Sequence, residues 1–162
     1  MHKTVLALGG DGIGPEILDQ GLRVVRRLAE LSQTSLSIEK GLLHGASWEA
    51  HKKFCTDSVL EQAKASDAVL VGAVGGPQWD NIRAPGGAEC QDGLMYLRYH
   101  LQPYLGLRPS KSWGSLLSQT PFRPDLVGGV NVLILREMCG GAMFASERGQ
   151  QMVNGLRQGY DL

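Results

Sequence analysis

Apolar residues near the start of the chain alternate between short continuous runs and stripes at helical spacing. Residues 4–8 (TVLAL) form an apolar run that ends at glycine, which predicts a buried strand. Pro15 is well placed as the first residue of a helix, where its missing N–H costs nothing. Leu18, Leu22, Val25 and Ala29 then recur at helical spacing, with Ile17 and Leu28 beside them. Arg23, Arg26, Arg27 and Glu30 fall mostly off that stripe. Residues 34–38 alternate polar and apolar, as a strand with one buried face does. Residues 56–65 predict a helix capped by Thr56 that buries Val59, Leu60 and Ala63. Residues 67–72 (DAVLVG) predict another buried strand. The order strand, helix, strand, helix, strand implies an α/β fold with a parallel sheet covered by helices.

The glycine- and proline-containing stretch at 75–93 (GGPQWDNIRAPGGAECQDG) is long for a structureless loop, and such loops are often functional. Beyond it, residues 94–101 predict a helix, and residues 104–108 and 130–135 predict strands. The tail after Ser146 is polar and ends in RQGYDL. No repeat or low-complexity segment interrupts this order.

Charge and cysteine content narrow the function. The 162 residues suffice for one domain with a real core. Sixteen basic residues balance 16 acidic ones, so no general electrostatic attraction to nucleic acid or an anionic membrane is expected. No apolar run approaches the roughly 20 residues of a membrane span, and the opening MHKTVLALGGDG lacks a signal-peptide pattern. Cys55, Cys90 and Cys139 are odd in number and widely spaced, which suggests neither a disulfide framework nor a zinc site. A cytoplasmic setting is the expectation.

The first candidate chemistry lies in LALGGDGIGPEIL, residues 6–18. A dinucleotide fingerprint requires G-x-G-x-x-G, but here Gly10 and Gly12 are followed by Pro15 in the third position. No G-K-[ST] follows, so this is not a P-loop. A phosphate at this helix start would meet Asp11 and Glu16, and both would repel it. The residues leave two readings open: a tight turn into a helix begun by proline, or a binding loop of another kind.

Four stretches carry a resemblance: GGDGIGPEI (9–17), SDAVLVGAVGGPQWDN (66–81), GLMYLRYHLQPYLGLRPSKSW (93–113) and VNVLILREMCGG (130–141). Together, and in this order, they resemble 3-isopropylmalate dehydrogenases, a branch of the β-decarboxylating dehydrogenases, and the likeness covers almost the whole chain. It implies an isopropylmalate dehydrogenase-like α/β fold, with a parallel or mixed sheet flanked by helices and its C-terminal half missing. Residues 1–103 would begin the cofactor-side domain, and residues 104–162 the central substrate and dimer domain. The implied reaction is NAD-dependent oxidation of a 2-hydroxy acid followed by loss of a β-carboxylate, in leucine biosynthesis or an analogous chain-elongation route. Arg98, Arg108 and Arg136 fall on the positions that hold the dicarboxylate substrate, a task suited to the planar guanidinium. Leu94 and Met95 fall where the substrate's side group makes apolar contact. Asp11, Gly12, Ile13 and Gly14 would border the nicotinamide end of NAD. For each arginine the competing reading is an ordinary surface charge or ion pair. Arg136 is the sharpest case, because it ends the apolar run VLIL.

The sequence also departs from that family. Met143 stands where the family carries a tyrosine that assists proton transfer, and a thioether cannot do so. Ala145 and Ser146 replace a glycine and a glutamate, Cys139 replaces a threonine, Gln78 a lysine, Gln91 an acidic residue and Gly106 an asparagine. Family members are about twice this length, above the usual span of one domain. Their second half supplies a catalytic lysine, aspartates for Mg2+ or Mn2+ and most of the adenosine site, and each site is shared across a homodimer. These departures imply an isolated chain without activity of its own, which pairs with itself or with a full-length homologue and exposes apolar surface. A non-catalytic paralogue and a fragment of a normal enzyme are the competing readings. The histidines His2, His44, His51 and His100 show no ligand spacing, and Trp79 and Trp113 read as packing residues.

Overall fold

The structure, a computed structural model, describes residues 1–138 and 148–161. It divides into two units, Met1–Leu101 and Gln102–Leu162. In the first unit, strand β1 (His2–Gly10) leads through helix α1 (Gly14–Leu31) to β2 (Ser35–Gly41). Helices α2 (Gly45–His51) and α3 (Asp57–Ala65) then lead to β3 (Ala68–Ala73). A 3-10 turn at Ala88–Gln91 precedes α4 (Gly93–Leu101). The sheet is parallel, in the order β2-β1-β3, with Val5 opposite Ile38 on one side and Ala68 on the other.

Side-chain alternation along β1 divides the core. Leu6 and Leu8 face α3 and α4, where they pack with Leu43, Val59, Leu60, Ala63 and Leu97. Ala7 points the opposite way, onto Leu18 and Leu22 of α1, with Ile38 and Leu70 at the edges. The predicted stripe of α1 is thus only partly buried: Ile17 and Leu28 are exposed, at 48% and 59%. Helix α3 follows the sequence reading, with the Thr56 hydroxyl accepting the Val59 N–H at 3.3 Å and Val59, Leu60 and Ala63 buried. Helix α2 carries no side-chain cap to mark its start in the sequence.

The long stretch after β3 is ordered from within. Gln91 Oε1 accepts the Ala84 N–H at 3.0 Å, while Nε2 donates to the carbonyls of Ala84 at 2.8 Å and Gly87 at 3.2 Å. This clasp needs a donor and an acceptor on one side chain, which an ionised carboxylate cannot provide. Glutamine at this position therefore has a structural reason.

In the second unit, β4 (Leu105–Lys111) pairs antiparallel with β5 (Asn131–Glu137). A 3-10 turn at Gly114–Gln119 and the short helix α5 (Pro124–Val127) connect them. The polar tail forms a hairpin of β6 (Arg148–Val153) and β7 (Leu156–Asp161). Asn154 and Gly155 make its two-residue turn, both at positive φ, 51° and 76°. That conformation suits an Asn-Gly hairpin. No described residue of the second unit is fully buried. Leu105, Leu107, Leu133 and Leu135 share one face of the β4–β5 ribbon and are 43–61% exposed. Cys139, Met143, Ala145 and Ser146 lie outside the described residues. Among the described residues no helix is long and apolar enough to cross a membrane.

Candidate functional site

Close backbone packing dictates Gly10 and Gly14, at the two ends of the opening loop. A Cβ on Gly14 would lie 2.2 Å from the Gly9 carbonyl oxygen and 2.7 Å from the Ala73 nitrogen. One on Gly72 would lie 2.3 Å from the same Gly9 oxygen. The start of α1 is therefore pressed against β3, backbone to backbone. In a sheet ordered β2-β1-β3, the segments leaving β1 and β3 diverge and open a crevice of the kind that commonly holds ligands. Here Asp11 closes it. Its N–H donates to the Ala73 carbonyl at 2.7 Å. Its Oδ2 accepts the N–H groups of Gly75 at 2.9 Å and Gly45 at 3.2 Å, and its Oδ1 that of Ala46 at 2.8 Å. His44 Nδ1 completes the set, 2.8 Å from Oδ2. The Asp11 carboxylate thus holds three segments together and is almost fully buried. Gly14 is buried too, whereas Gly12 and Ile13 are exposed, and a Cβ on Gly12 would meet nothing within 4 Å. A cavity of about 320 Å³ adjoins this loop, lined by Gly9, Gly10, Pro15, Lys40, Leu42 and Ala46 among others.

His44 was not marked by any spacing in the sequence. It precedes α2 with φ 55° and ψ −124°, a conformation costly for a side-chain-bearing residue. Its ring is buried, stacked on Phe54 at 4.8 Å and edge-on to Trp79 at 5.9 Å. Trp79 is a packing residue, as expected, and a Cβ on Gly45 would strike its ring at 2.3 Å. Trp113 instead lies 58% exposed beneath Lys111 Nζ, 4.6 Å from the ring centre.

Helix α4 presents three of the expected substrate residues together. Asp92 Oδ1 accepts the N–H groups of Leu94 at 2.7 Å and Met95 at 3.0 Å, which fixes the first turn. Leu94 and Met95 lie four and three residues before Arg98, so all three share a helix face. Arg98 Nη1 sits 3.5 Å from the Met95 sulfur, and all three side chains are half-buried. Leu97 turns inward to the core.

In the second unit the strand register joins the other two arginines. Arg136 stands opposite Gly106, and Arg108 lies two residues along from Gly106. Both arginines therefore project from one face of the ribbon as diagonal neighbours, within reach of one another's long side chains. A Cβ on Gly106 would lie 3.4 Å from that of Arg136 and 2.9 Å from the Met138 sulfur.

A second cavity of about 230 Å³ lies behind α4, lined in part by Lys53, Phe54, Cys55, Asp57, Cys90 and Tyr96. Burial, aided by the Asp57 charge, pushes the Cys55 thiol up to about 12, and burial likewise raises Cys90. Hydrogen bonds from Lys53 and then Tyr96 hold Asp57 below the usual carboxylate range. Among the described residues, no group of three or more His, Cys, Asp or Glu side chains is arranged to hold a metal ion. They therefore do not themselves fit the divalent cation that the sequence resemblance implies.

Comparison with known proteins agrees with this fold. Residues 4–162 match the isocitrate/isopropylmalate dehydrogenase family. The 3-isopropylmalate dehydrogenase of Acinetobacter baylyi is 39% identical over 99% of this chain and 45% of its own length. That of Chromohalobacter salexigens is 40% identical over 99% of this chain and 44% of its own. The chain thus spans less than half the length of these relatives. Among solved structures, isocitrate dehydrogenase from Methylococcus capsulatus superposes with a TM-score of 0.67 at 22% identity, covering all of this chain and 42% of that one. A β-decarboxylating dehydrogenase from Thermococcus kodakarensis gives 0.63 at 23% identity, covering 99% of this chain and 40% of that one. On its sequence match and its fold, the chain belongs to the isocitrate/isopropylmalate dehydrogenase family.

Proposed function

We propose that this chain supplies the substrate-holding part of an NAD-dependent oxidative decarboxylation of a 3-substituted malate, in leucine biosynthesis or a related 2-oxo acid chain elongation. The observation that carries this reading is the face of α4, where the Arg98 cation stands beside apolar Leu94 and Met95. A 3-substituted malate has that pairing, a carboxylate next to an apolar group. Arg108 and Arg136, together on one ribbon face, offer two further forks for a dicarboxylate.

The residues of this chain bind and orient. The guanidinium groups hold the substrate carboxylates and fix the carbon that bears the hydroxyl. Leu94 and Met95 exclude water from the substituent, so a polar group there would be poorly solvated. Exposed Gly12 and Ile13 offer an open step against which the planar nicotinamide end of NAD would lie, whereas Asp11 serves the loop itself. Bound NAD would supply the acceptor for the hydride of the carbinol carbon, with the hydroxyl proton passing to solvent. The resulting 3-carboxy-2-oxo acid then loses its β-carboxylate as CO2, and the electron pair left behind is protonated at carbon 3. No step is assigned to a metal, because the described residues do not fit one.

A second reading, a non-catalytic subunit that pairs with an intact homologue, is favoured by Met143 in place of tyrosine. Calorimetric titration of the chain with 3-isopropylmalate tests the binding role. Binding is expected, and Arg98→Ala, Arg108→Ala and Arg136→Ala are each expected to weaken it about tenfold or more. Absence of binding, or indifference to all three substitutions, would overturn it. NADH formation with Mg2+ present separates the two readings. Turnover by the chain alone favours the enzyme. Turnover that the chain alters only when mixed with a full-length 3-isopropylmalate dehydrogenase favours the pairing subunit.

A further inference from the structure

His44 occupies a backbone conformation that glycine would adopt without strain, and it does so in a buried position. Its ring must offset that strain, and its surroundings indicate how. Asp11 lies on one side, with Oδ2 at 2.8 Å from Nδ1. Asp92 lies on the other, with Oδ2 at 3.8 Å from Nε2. An ionised carboxylate only accepts hydrogen bonds, so Nδ1 carries the proton that Asp11 receives. In the neutral ring, Nε2 then presents a lone pair towards the Asp92 oxygen, and 3.8 Å is too long for a hydrogen bond. In the charged ring, Nε2–H becomes a donor aimed at a carboxylate.

Asp92 is also the residue that fixes the first turn of α4, through its other oxygen. The backbones meet here as well, because a Cβ on Gly93 would lie 2.9 Å from the His44 nitrogen and 2.5 Å from the Phe54 carbonyl oxygen. The His44 N–H donates to that same Phe54 carbonyl at 2.7 Å. We propose that His44 is a positioning residue that ties the β1–α1 loop to the start of α4, and that protonation of its ring closes the second half of the tie onto Asp92. Loop and helix then move as one body at lower pH and separately at higher pH.

Four other charged groups on the surrounding elements are engaged with partners of their own. Glu49 of α2 accepts from Trp79 Nε1 at 3.2 Å and lies 3.9 Å from Lys52, while Lys53 bonds Asp57 at 3.1 Å. Asp11 and Asp92 are therefore the carboxylates within ion-pair reach of the ring. That the tie aligns Leu94, Met95 and Arg98 with the cofactor-side loop rests on the proposed function. The tie itself does not.

Amide hydrogen exchange at Leu94 and Met95, on the full chain and corrected for intrinsic exchange, tests the tie without substrate or cofactor. Failure of the dehydrogenase reading would leave the result untouched. Protection is expected to rise about tenfold as pH falls from roughly 8 to roughly 5.5. His44→Gly relieves the backbone strain, so its unfolding midpoint at the higher pH should hold or rise while the pH-dependent protection disappears. Added imidazole should restore part of it. Asp92→Asn keeps a good helix cap but removes the charge, and should also abolish the rise. It decides alone if His44→Gly fails to fold. Protection flat with pH in the native chain, or a rise that survives either substitution, would overturn the proposal.

Discussion

The Asp11 carboxylate and the Gly75 N–H meet at 2.9 Å, across the gap between the segments that leave β1 and β3. Three further donors converge on the same side chain. Asp11→Ala leaves all four without an acceptor in a buried place, and should destabilise the first unit by about 3 kcal/mol or more. Asp11→Asn keeps the shape but turns one acceptor into a donor facing donors, and should also be destabilising. Urea midpoints of the two variants check this. A change within experimental error for Asp11→Ala would mean that the convergence is not needed for folding.

Gly14 and Gly72 should tolerate no side chain. Alanine normally strengthens a helix start relative to glycine, but at Gly14 its Cβ would press into the Gly9 carbonyl, a backbone group that cannot swing aside. Gly14→Ala and Gly72→Ala should each cost about 1–3 kcal/mol, whereas Gly12, which faces open space, is constrained by its φ of 53° alone. Thermal unfolding of the three alanine variants should place Gly12→Ala as the mildest.

Part of this was legible in the sequence. Thr56 and the triplet Val59, Leu60 and Ala63 are local signals, and α3 formed where they stood. The parallel sheet followed from the order of apolar runs. Helix α2 was not legible, because what positions it comes from elsewhere: Asp11 on two of its first N–H groups and Trp79 against Gly45. His44 gave no signal, since a single histidine acquires meaning only from the two aspartates that the fold brings to it. The β6–β7 hairpin carried a readable Asn-Gly turn, but its polar flanks hid the strands. The shared face of Arg108 and Arg136 depends on register between strands that end at Lys111 and begin at Asn131, which no local pattern specifies.

Alkaline conditions should weaken the first unit through Cys55. Its thiol ionises near 9.0 in a free chain and near 12 in the folded protein. The folded value is raised, so the neutral thiol's contribution is complete below pH 9.0 and is lost as pH climbs towards 12. The urea midpoint should therefore fall more steeply over that range in the native chain than in Cys55→Ala. At neutral pH, alkylating reagents should modify Cys55 only on unfolding.

The apolar face of the β4–β5 ribbon should be detectable in solution. Leu105, Leu107, Leu133 and Leu135 present a contiguous surface with little else to bury them among the described residues. A hydrophobic dye should bind the native chain, and light scattering should grow with concentration. Replacing Leu107 and Leu135 together by glutamate should reduce both effects and leave the far-ultraviolet spectrum of the first unit intact. Dye binding unchanged by that pair would place the exposed surface elsewhere.

The central position of β1 has a consequence for how the protein is made. β1 precedes both of its neighbours in the sequence, yet it lies between them, and its pairing with β3 joins Val5 to Ala68. A growing polypeptide therefore carries one edge of β1 unpaired until more than 60 further residues have left the ribosome. α1 can shelter only the Ala7 side in the meantime. During that interval the central strand of the first unit has no native partner on one edge, so synthesis speed and chaperone supply should govern the yield of folded protein more than the final stability does.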